Sequence, residues 1–523
     1  MANIFENKDR RVIPNWRSFK KTAVLGELDN SGLEPKKSIP SIITIEDYIE
    51  DWKHHKTIPH AGDLLSAAIV NGITNNPEVI EAAQFILSNN ASTTPSQMSL
   101  AENFAVKNEV QLTDKLEKIT IEKFASLVDP KIIWSKIKEI KASITLYPYN
   151  PISYIELSRQ YSIIGQQEKA LRAMRIALNL STENRFILRC ASRLFAHYED
   201  IDFAHDILRK SRLAGTDPWV TSAEISVATL RGRSSRFLKK GMDIINSNNF
   251  SFASISELAS SMGTIELVEG NLKKSRQLFR KSLISPNDNT LAQIEWASSK
   301  EASLKIDVND YHVKHNFEAQ ALEYFHTNQL TECLDSTFRW FLDMPFSKRP
   351  VMLGSHIANA LLNDQEKSRD FLKAGLISHP NDPQIINNLV YSLALENKLE
   401  EARMFMSKLA DNPEGAADIT KICLTATRGL LCFRSGVPEM GRTYYLEAIE
   451  KSKEIKNQYF NWLAILNYAR EEILVKSEDI ETIMETIARI PNNTFATDVN
   501  KLKKEVVELY HKSKMTGGAA ITI

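Results

Sequence analysis

Glycine and proline are both scarce, 18 of each in 523 residues, and a chain so poor in turn formers has few hairpins from which to build sheets. Cysteine is scarcer still. Cys190, Cys333, Cys423 and Cys432 lie far apart and form no CxxC pair, which argues against a zinc site or a disulfide framework and fits reduced, buried thiols in a cytoplasmic protein. Neither sign of charge is in excess: 65 Lys and Arg stand against 65 Asp and Glu. No global field therefore draws nucleic acid or an anionic membrane, and any charged site is local. A run of about 18 apolar residues, the length needed to cross a bilayer as a helix, occurs nowhere. The first residues, MANIFENKDRRVIPNW, carry positive charge with no apolar stretch behind it, unlike a secretory signal.

Catalytic motifs are missing as well. The phosphate-cradling patterns GxxxxGK(S/T) and GxGxxG do not occur, nor does the GxSxG elbow of serine hydrolases. His54, His55 and His60 are close in sequence, as are His312 and His315, but neither group supplies HExxH or an evident third ligand, so they read as surface histidines. Glu46, Asp47, Glu50 and Asp51 fall along one face of a helix and read as a solvated face rather than an acid/base pair. The expectation is a protein that is not an enzyme and has no cofactor or metal.

What the chain does have is repetition. Residues 151–184 (PISYIELSRQYSIIGQQEKALRAMRIALNLSTEN) and 185–218 (RFILRCASRLFAHYEDIDFAHDILRKSRLAGTDP) align at a shift of 34, pairing Ser158 with Ser192, Tyr161 with Phe195, Ala170 with Ala204 and Met174 with Leu208. Small residues at Ser158 and Ala170 let two helices approach. Tyr154, Leu157 and Tyr161 from the first, with Leu171, Met174 and Leu178 from the second, fill the space around them. Pro151 starts the first helix and Gly165 stops it. Residues 256–289 repeat the pattern well, 349–416 carry a further pair, and 314–348, 422–455, 117–150 and 219–255 fit more loosely.

On these residues the chain resembles the tetratricopeptide repeat family. The resemblance implies an all-α fold, an α–α superhelix, over roughly 117–475, with a break near 300–313 where KEASLKIDVNDYHV interrupts the phase. An irregular helical array of another kind is the alternative. Residues 1–40 lack periodicity and read as an extended basic and aromatic arm. Residues 41–116 read as a small helical region, and 476–523 as capping helices with a frayed tail.

The resemblance also implies a groove lined by the first helices, in which partner peptides or helices lie. Projected onto this chain, it places Arg159, Arg189, Arg193, His197 and Arg231 along the early groove as a basic stripe. Leu322, Phe325, Ile357, Leu361, Tyr391 and Phe433 fall along the later groove as an apolar one. Arginine forks suit carboxylates and phosphates, while surface charge and packing between repeats are the plain readings of the same residues. In the arm, Arg10, Arg11, Trp16, Arg17 and Phe19 form a third candidate surface, which either binds a partner or covers the chain's own end.

The function these features suggest is a non-catalytic scaffold or adaptor that holds other proteins in a complex, perceived as a bacterial regulatory or antiviral-defence assembly on the Asn-, Lys- and Ile-rich flavour of the sequence. A nucleic-acid-associated or effector-sensing regulator, using the arginine stripe or the arm, is the alternative. Partners are expected to be proteins before nucleic acid, with no membrane, and the oligomeric state stays open.

Overall fold

Helix starts and stops are written in the same residue types all along the chain. The structure, a computed structural model, describes residues 45–70, 73, 75–89, 93, 95–107, 129–146, 148–247, 249–313, 315–409, 416–492 and 497–515. Among these residues every regular element is helical and none is a strand. Helices α1 (Ile45–His54), α2 (Ile58–Val70), α3 (Pro77–Ser88), α4 (Pro95–Lys107) and α5 (Pro130–Leu146) come first. Four hairpins follow: α6 (Pro151–Ile163) with α7 (Gln167–Leu180), α8 (Arg185–His197) with α9 (Ile201–Lys210), α10 (Pro218–Leu230) with α11 (Leu238–Asn246), and α12 (Phe252–Val268) with α13 (Leu272–Ser282).

First helices open on side-chain caps. Asn150, Asn184, Asp217 and Ser251 each accept a backbone N–H of the turn they start, and Pro151 and Pro218 occupy a first-turn position where no N–H is needed. They close on left-handed residues. Gly165, Glu199, Gly232 and Gly270 all have positive φ, and the N–H that follows reaches back to a carbonyl of the last turn, as from Gln166 to Tyr161 at 2.8 Å and from Asp200 to Phe195 at 2.9 Å. The same closure recurs at Asn328, Asn397, Gly436 and Lys476, so one turn design serves the whole chain even where glycine is replaced.

The two helices of a hairpin meet at small residues. Ser158 Oγ donates to Ala170 O at 2.8 Å, Ser275 Oγ to Gly263 O at 2.9 Å and Cys333 Sγ to Ala321 O at 2.9 Å, each pair 12 residues apart. Around these points Ala170, Met174 and Ala177 are fully buried, and each Leu or Met removed from water contributes about 1.5–3 kcal/mol.

The described helices fall into two compact units that divide between Phe346 and Ser347. The division lies inside the stretch read from sequence as one repeat array, and both sides carry hairpins. In the first unit α14 (Asp288–Ser298) has no helical partner of its own. Two 3-10 turns, Ala302–Leu304 and Val308–Asp310, take its place, with Leu304 and Val308 packed beneath it. The hairpin α15 (Phe317–His326) with α16 (Leu330–Asp343) ends the unit.

The second unit contains α17 (Lys348–His356), which runs into a π turn, Ile357–Leu361, before α18 (Gln365–Ser378). Hairpins α19 (Pro383–Leu395) with α20 (Leu399–Met406), α21 (Asp418–Arg434) with α22 (Pro438–Glu454), and α23 (Gln458–Leu474) with α24 (Ile480–Ala488) come next. The last helix, α25 (Thr497–Met515), packs Val499 and Val506 against Leu466, Ala469 and Ile473.

Candidate functional site

The projected basic stripe is the first thing the structure relocates. Arg159, Arg189 and Arg193 are 5 %, 0 % and 3 % exposed, not open to solvent as the sequence reading expected. For Arg189 and Arg193 the partner is a carboxylate from a later first helix. Glu257 on α12 takes Arg189 Nη2 at 2.5 Å and Arg193 Nη2 at 3.4 Å on the same oxygen, while its other oxygen accepts Asn287 at 2.8 Å and Asn289 at 2.5 Å. Burial works to raise the Glu257 carboxyl, yet the two guanidiniums and the amides hold it below the ordinary range. Arg189 also lies over the Trp219 ring, 4.6 Å from its centre. Arg159 is lowered by burial, against the pull of Glu156 and Asp343.

Arg231 is half-buried and pairs with Asp202 and with His205, whose Nδ1 is 2.7 Å away. His205 contacts Glu224 at 3.2 Å. His197 stacks edge-on against Tyr198 and Phe346 at 4.8 and 5.6 Å between ring centres. Arg189 and Arg193 meet at Glu257 in the interior, while Arg231 belongs to a separate group with Asp202, His205 and Glu224.

The projected apolar residues are also mostly interior. Leu322, Phe325, Ile357 and Phe433 are buried, and Leu361 and Tyr391 are half-buried. Leu361 stands at the end of the π turn. Of the six, Tyr391 lines a cavity. The arm residues Arg10, Arg11, Trp16, Arg17 and Phe19 lie outside the described residues.

That cavity, of about 300 Å³, lies within the second unit, among α17, the π turn, α19, α21, α23 and α25. Seven carboxamides stand among its lining side chains: Asn359, Asn363, Gln365, Gln384, Asn387, Asn388 and Asn467. Tyr391 Oη donates to Asn467 Oδ1 at 2.8 Å, and Gln365 Nε2 donates to Asn359 Oδ1 at 3.1 Å. Asn387 is 5 % exposed and spends its amide N–H on Asn388 Oδ1 at 3.2 Å. Its own Oδ1 has no hydrogen-bond partner among the described residues, a costly state for a buried acceptor. Ile419, Phe460, Leu463 and Leu502 supply an apolar floor.

The charged groups of the wall have partners within it. Tyr459 donates to Asp498, and His356 Nε2 stands 3.8 Å from the same oxygen. Burial lowers the His356 pKa and Asp498 opposes it, leaving a net depression that favours neutral imidazole. Lys501 Nζ donates to the carbonyls of Ala360 and Leu361 at 3.2 and 3.1 Å. Those carbonyls belong to the π turn, where the regular ladder is disturbed. Arg470 Nε pairs with Glu471 at 2.9 Å. The Cys423 thiol is pushed up to about 12 by burial, so it is no thiolate nucleophile.

Sequence reasoning missed this site because its amides come from positions 359 to 467 on separate helices. The usable signal was the recurrence of Asn on first helices, as in the Asn387–Asn388 pair.

No protein-family model matches this chain, and no curated protein matches it. Among solved structures it is similar to the crystal structure of yeast Tom70, at 10% identity over 76% of this chain and 95% of that one, with a TM-score of 0.30. It is also similar to Naa15/Naa10 bound to HypK-THB, at 12% identity over 90% of this chain and 79% of that one, with a TM-score of 0.26. Scores this low carry no weight for function. On the recurrent hairpin closure and the small-residue crossings twelve apart, the described residues of both units are all-α and built of tetratricopeptide-like helical hairpins.

Proposed function

We propose that this chain is a non-catalytic scaffold that holds other proteins, and that the cavity of the second unit seats an extended segment of a partner. The observation that carries this reading is the amide wall with its buried, unpartnered Asn387 Oδ1. An extended backbone presents N–H and C=O groups at intervals, and carboxamides offer both complements without charge. Arg470, Asp498 and Lys501 already hold ion-pair or hydrogen-bond partners, which a charged ligand would have to displace. A thiol pushed up at Cys423 supports a binding role over thiolate chemistry.

The assembly we have in view is a cytoplasmic one, regulatory or antiviral in role. Capture of the full chain from its native lysate, followed by crosslinking, tests the scaffold reading. We expect a stoichiometric partner whose crosslinks fall beside Asn387 and Tyr391, and its loss in an Asn387→Ala, Tyr391→Ala variant. A chain that emerges alone, or a partner retained unchanged by that variant, contradicts it.

A further inference from the structure

We infer that the outer helices α7, α9, α11 and α13 form a binding surface for the phosphate backbone of nucleic acid, separate from the cavity and independent of it. The starting point is where the structure puts its cations. First helices α8, α10 and α12 are buried on nearly every side, so the second helices are the outside of this unit. Their solvent faces carry more cations than carboxylates, except on α9, where Asp202 and Asp206 balance Arg209 and Lys210. Helix α13 (LKKSRQLFRKS) carries five Lys and Arg and no Asp or Glu. Lys239 and Lys240 open α11, and Arg172 and Arg175 project from α7. Arg209 and Lys210 end α9, where they share Asp206.

Hydrogen bonds tie the ends of successive hairpins together. Arg236 donates to Arg209 O at 3.0 Å, linking the approach to α11 with the end of α9. Lys281 donates to Ile245 O, linking the ends of α13 and α11. Arg212 N–H donates to Glu183 beyond the end of α7, at 3.1 Å. Helices α7, α9 and α11 each pack on the first helix of the next hairpin, so the cations recur on successive hairpins along the unit.

Arg172, Arg233, Lys239, Lys273 and Arg280 are all exposed and have no ion-pair partner among the described residues. The outer helices of the second unit differ: α22 mixes Arg442, Lys451 and Lys453 with Glu439, Glu447 and Glu450, which cancel in pairs. The basic surface is therefore a local feature in a chain of zero net charge.

Recurrence and composition select the partner. A lipid surface calls for apolar side chains among the cations, but Phe252 and Ile284 lie at one end of the α12–α13 hairpin and Val268 and Leu272 at the other. An acidic peptide concentrates its charge, whereas nucleic acid repeats a phosphate about every 3.4 Å per strand and matches cations that recur on successive hairpins. The arginines among these cations suit phosphate in a fork geometry. No reading of bases is implied, because phosphate contacts carry register and not sequence.

The test is binding of the full chain to a labelled duplex of about 20 base pairs by fluorescence anisotropy, with salt raised from about 50 to about 200 mM. With six phosphate contacts, affinity should fall about a thousandfold over that range. Alanine at Arg172, Arg233, Lys239, Lys273 and Arg280 together should reduce the log–log salt slope by about 4 while the circular dichroism spectrum is kept. Alanine at Lys451 and Lys453 should leave the slope unchanged. Lack of binding at the low salt, an unchanged slope in the fivefold variant, or equal competition by poly-glutamate of matched charge would each overturn the inference, the last in favour of an acidic protein.

Discussion

Removing the carboxylate of Glu257 isolates two guanidiniums in the interior of the first unit. The side chains of Arg189, Arg193 and Glu257 are 0 %, 3 % and 2 % exposed, and the carboxylate gathers four donors at 2.5 to 3.4 Å. Breaking one member of a buried ionic group costs about 3–5 kcal/mol, because the remaining charge stays buried without compensation. Glu257→Ala should therefore destabilise α8 and α12 by about that amount. Replacing all three members together with apolar residues of similar volume should cost far less.

Repeat arrays need not unfold in one step, so the assay is native-state hydrogen exchange of the α8 and α12 amides, with an exposed control, Asp206→Ala, that should leave them unmoved. Acid adds a second signature. A carboxyl held below its ordinary 4.5 contributes stability that is present above that value and lost as pH falls through the folded pKa. That acid limb should flatten in Glu257→Gln. A loss below about 1 kcal/mol in Glu257→Ala, or a triple apolar variant as unstable as the single one, would refute the reasoning.

Lys501→Ala should free the Ala360 and Leu361 carbonyls and loosen the N-terminal half of α25 by about 1–2 kcal/mol, a factor of about 5–30 in local exchange, read by hydrogen exchange of residues 497–506. Gly429→Ala should cost about 1–3 kcal/mol, since its Cβ would stand 2.8 Å from Tyr445 and 3.1 Å from Gly441 O; thermal melts of this variant and of Gly270→Ala, which faces open space at φ +85, separate crowding from backbone strain. Asp63 is pushed from 3.8 up to about 7 by burial, despite hydrogen bonds from Ser143, Asn150 and Ser153. With the folded pKa above the unfolded one, the folded state binds the extra proton, so stability should fall as pH rises from about 4 to about 7. Asp63→Asn should remove that part of the pH dependence of melting.

Much of the fold was legible because its physics is local. Ser158 and Ala170, read as a close-approach pair, do meet, and Pro151 and Gly165 bound their helix as expected. Legibility fades where the same geometry is made by atypical residues. Glu199, Asn328 and Lys476 take left-handed turns that glycine usually marks, and the π turn at Ile357–Leu361 adds a residue that no motif announces.

The face of a helix was readable, but its environment was not. Arg189 and Arg193 project from one side of α8, and only the stacking of α10 and then α12 onto it brings Glu257, 64 to 68 residues away in sequence, to neutralise them. The cavity was illegible for the same reason, since Asn387, Tyr391, Asn467 and Lys501 come from three helices and converge only in three dimensions. Conversely, the cations of α13 were plain in the sequence, but their exposure depended on knowing which helix of each hairpin faces outward.

The central claim is that the cavity of the second unit holds an uncharged, extended partner segment. Panning a random peptide library against the full chain tests it most directly. The expected result is enrichment of uncharged peptides whose binding is lost in Asn387→Ala and restored by Asn387→Gln, whose amide offers the same acceptor. Enrichment of acidic or basic peptides, or of peptides that bind Asn387→Ala as tightly as the wild-type chain, would contradict it.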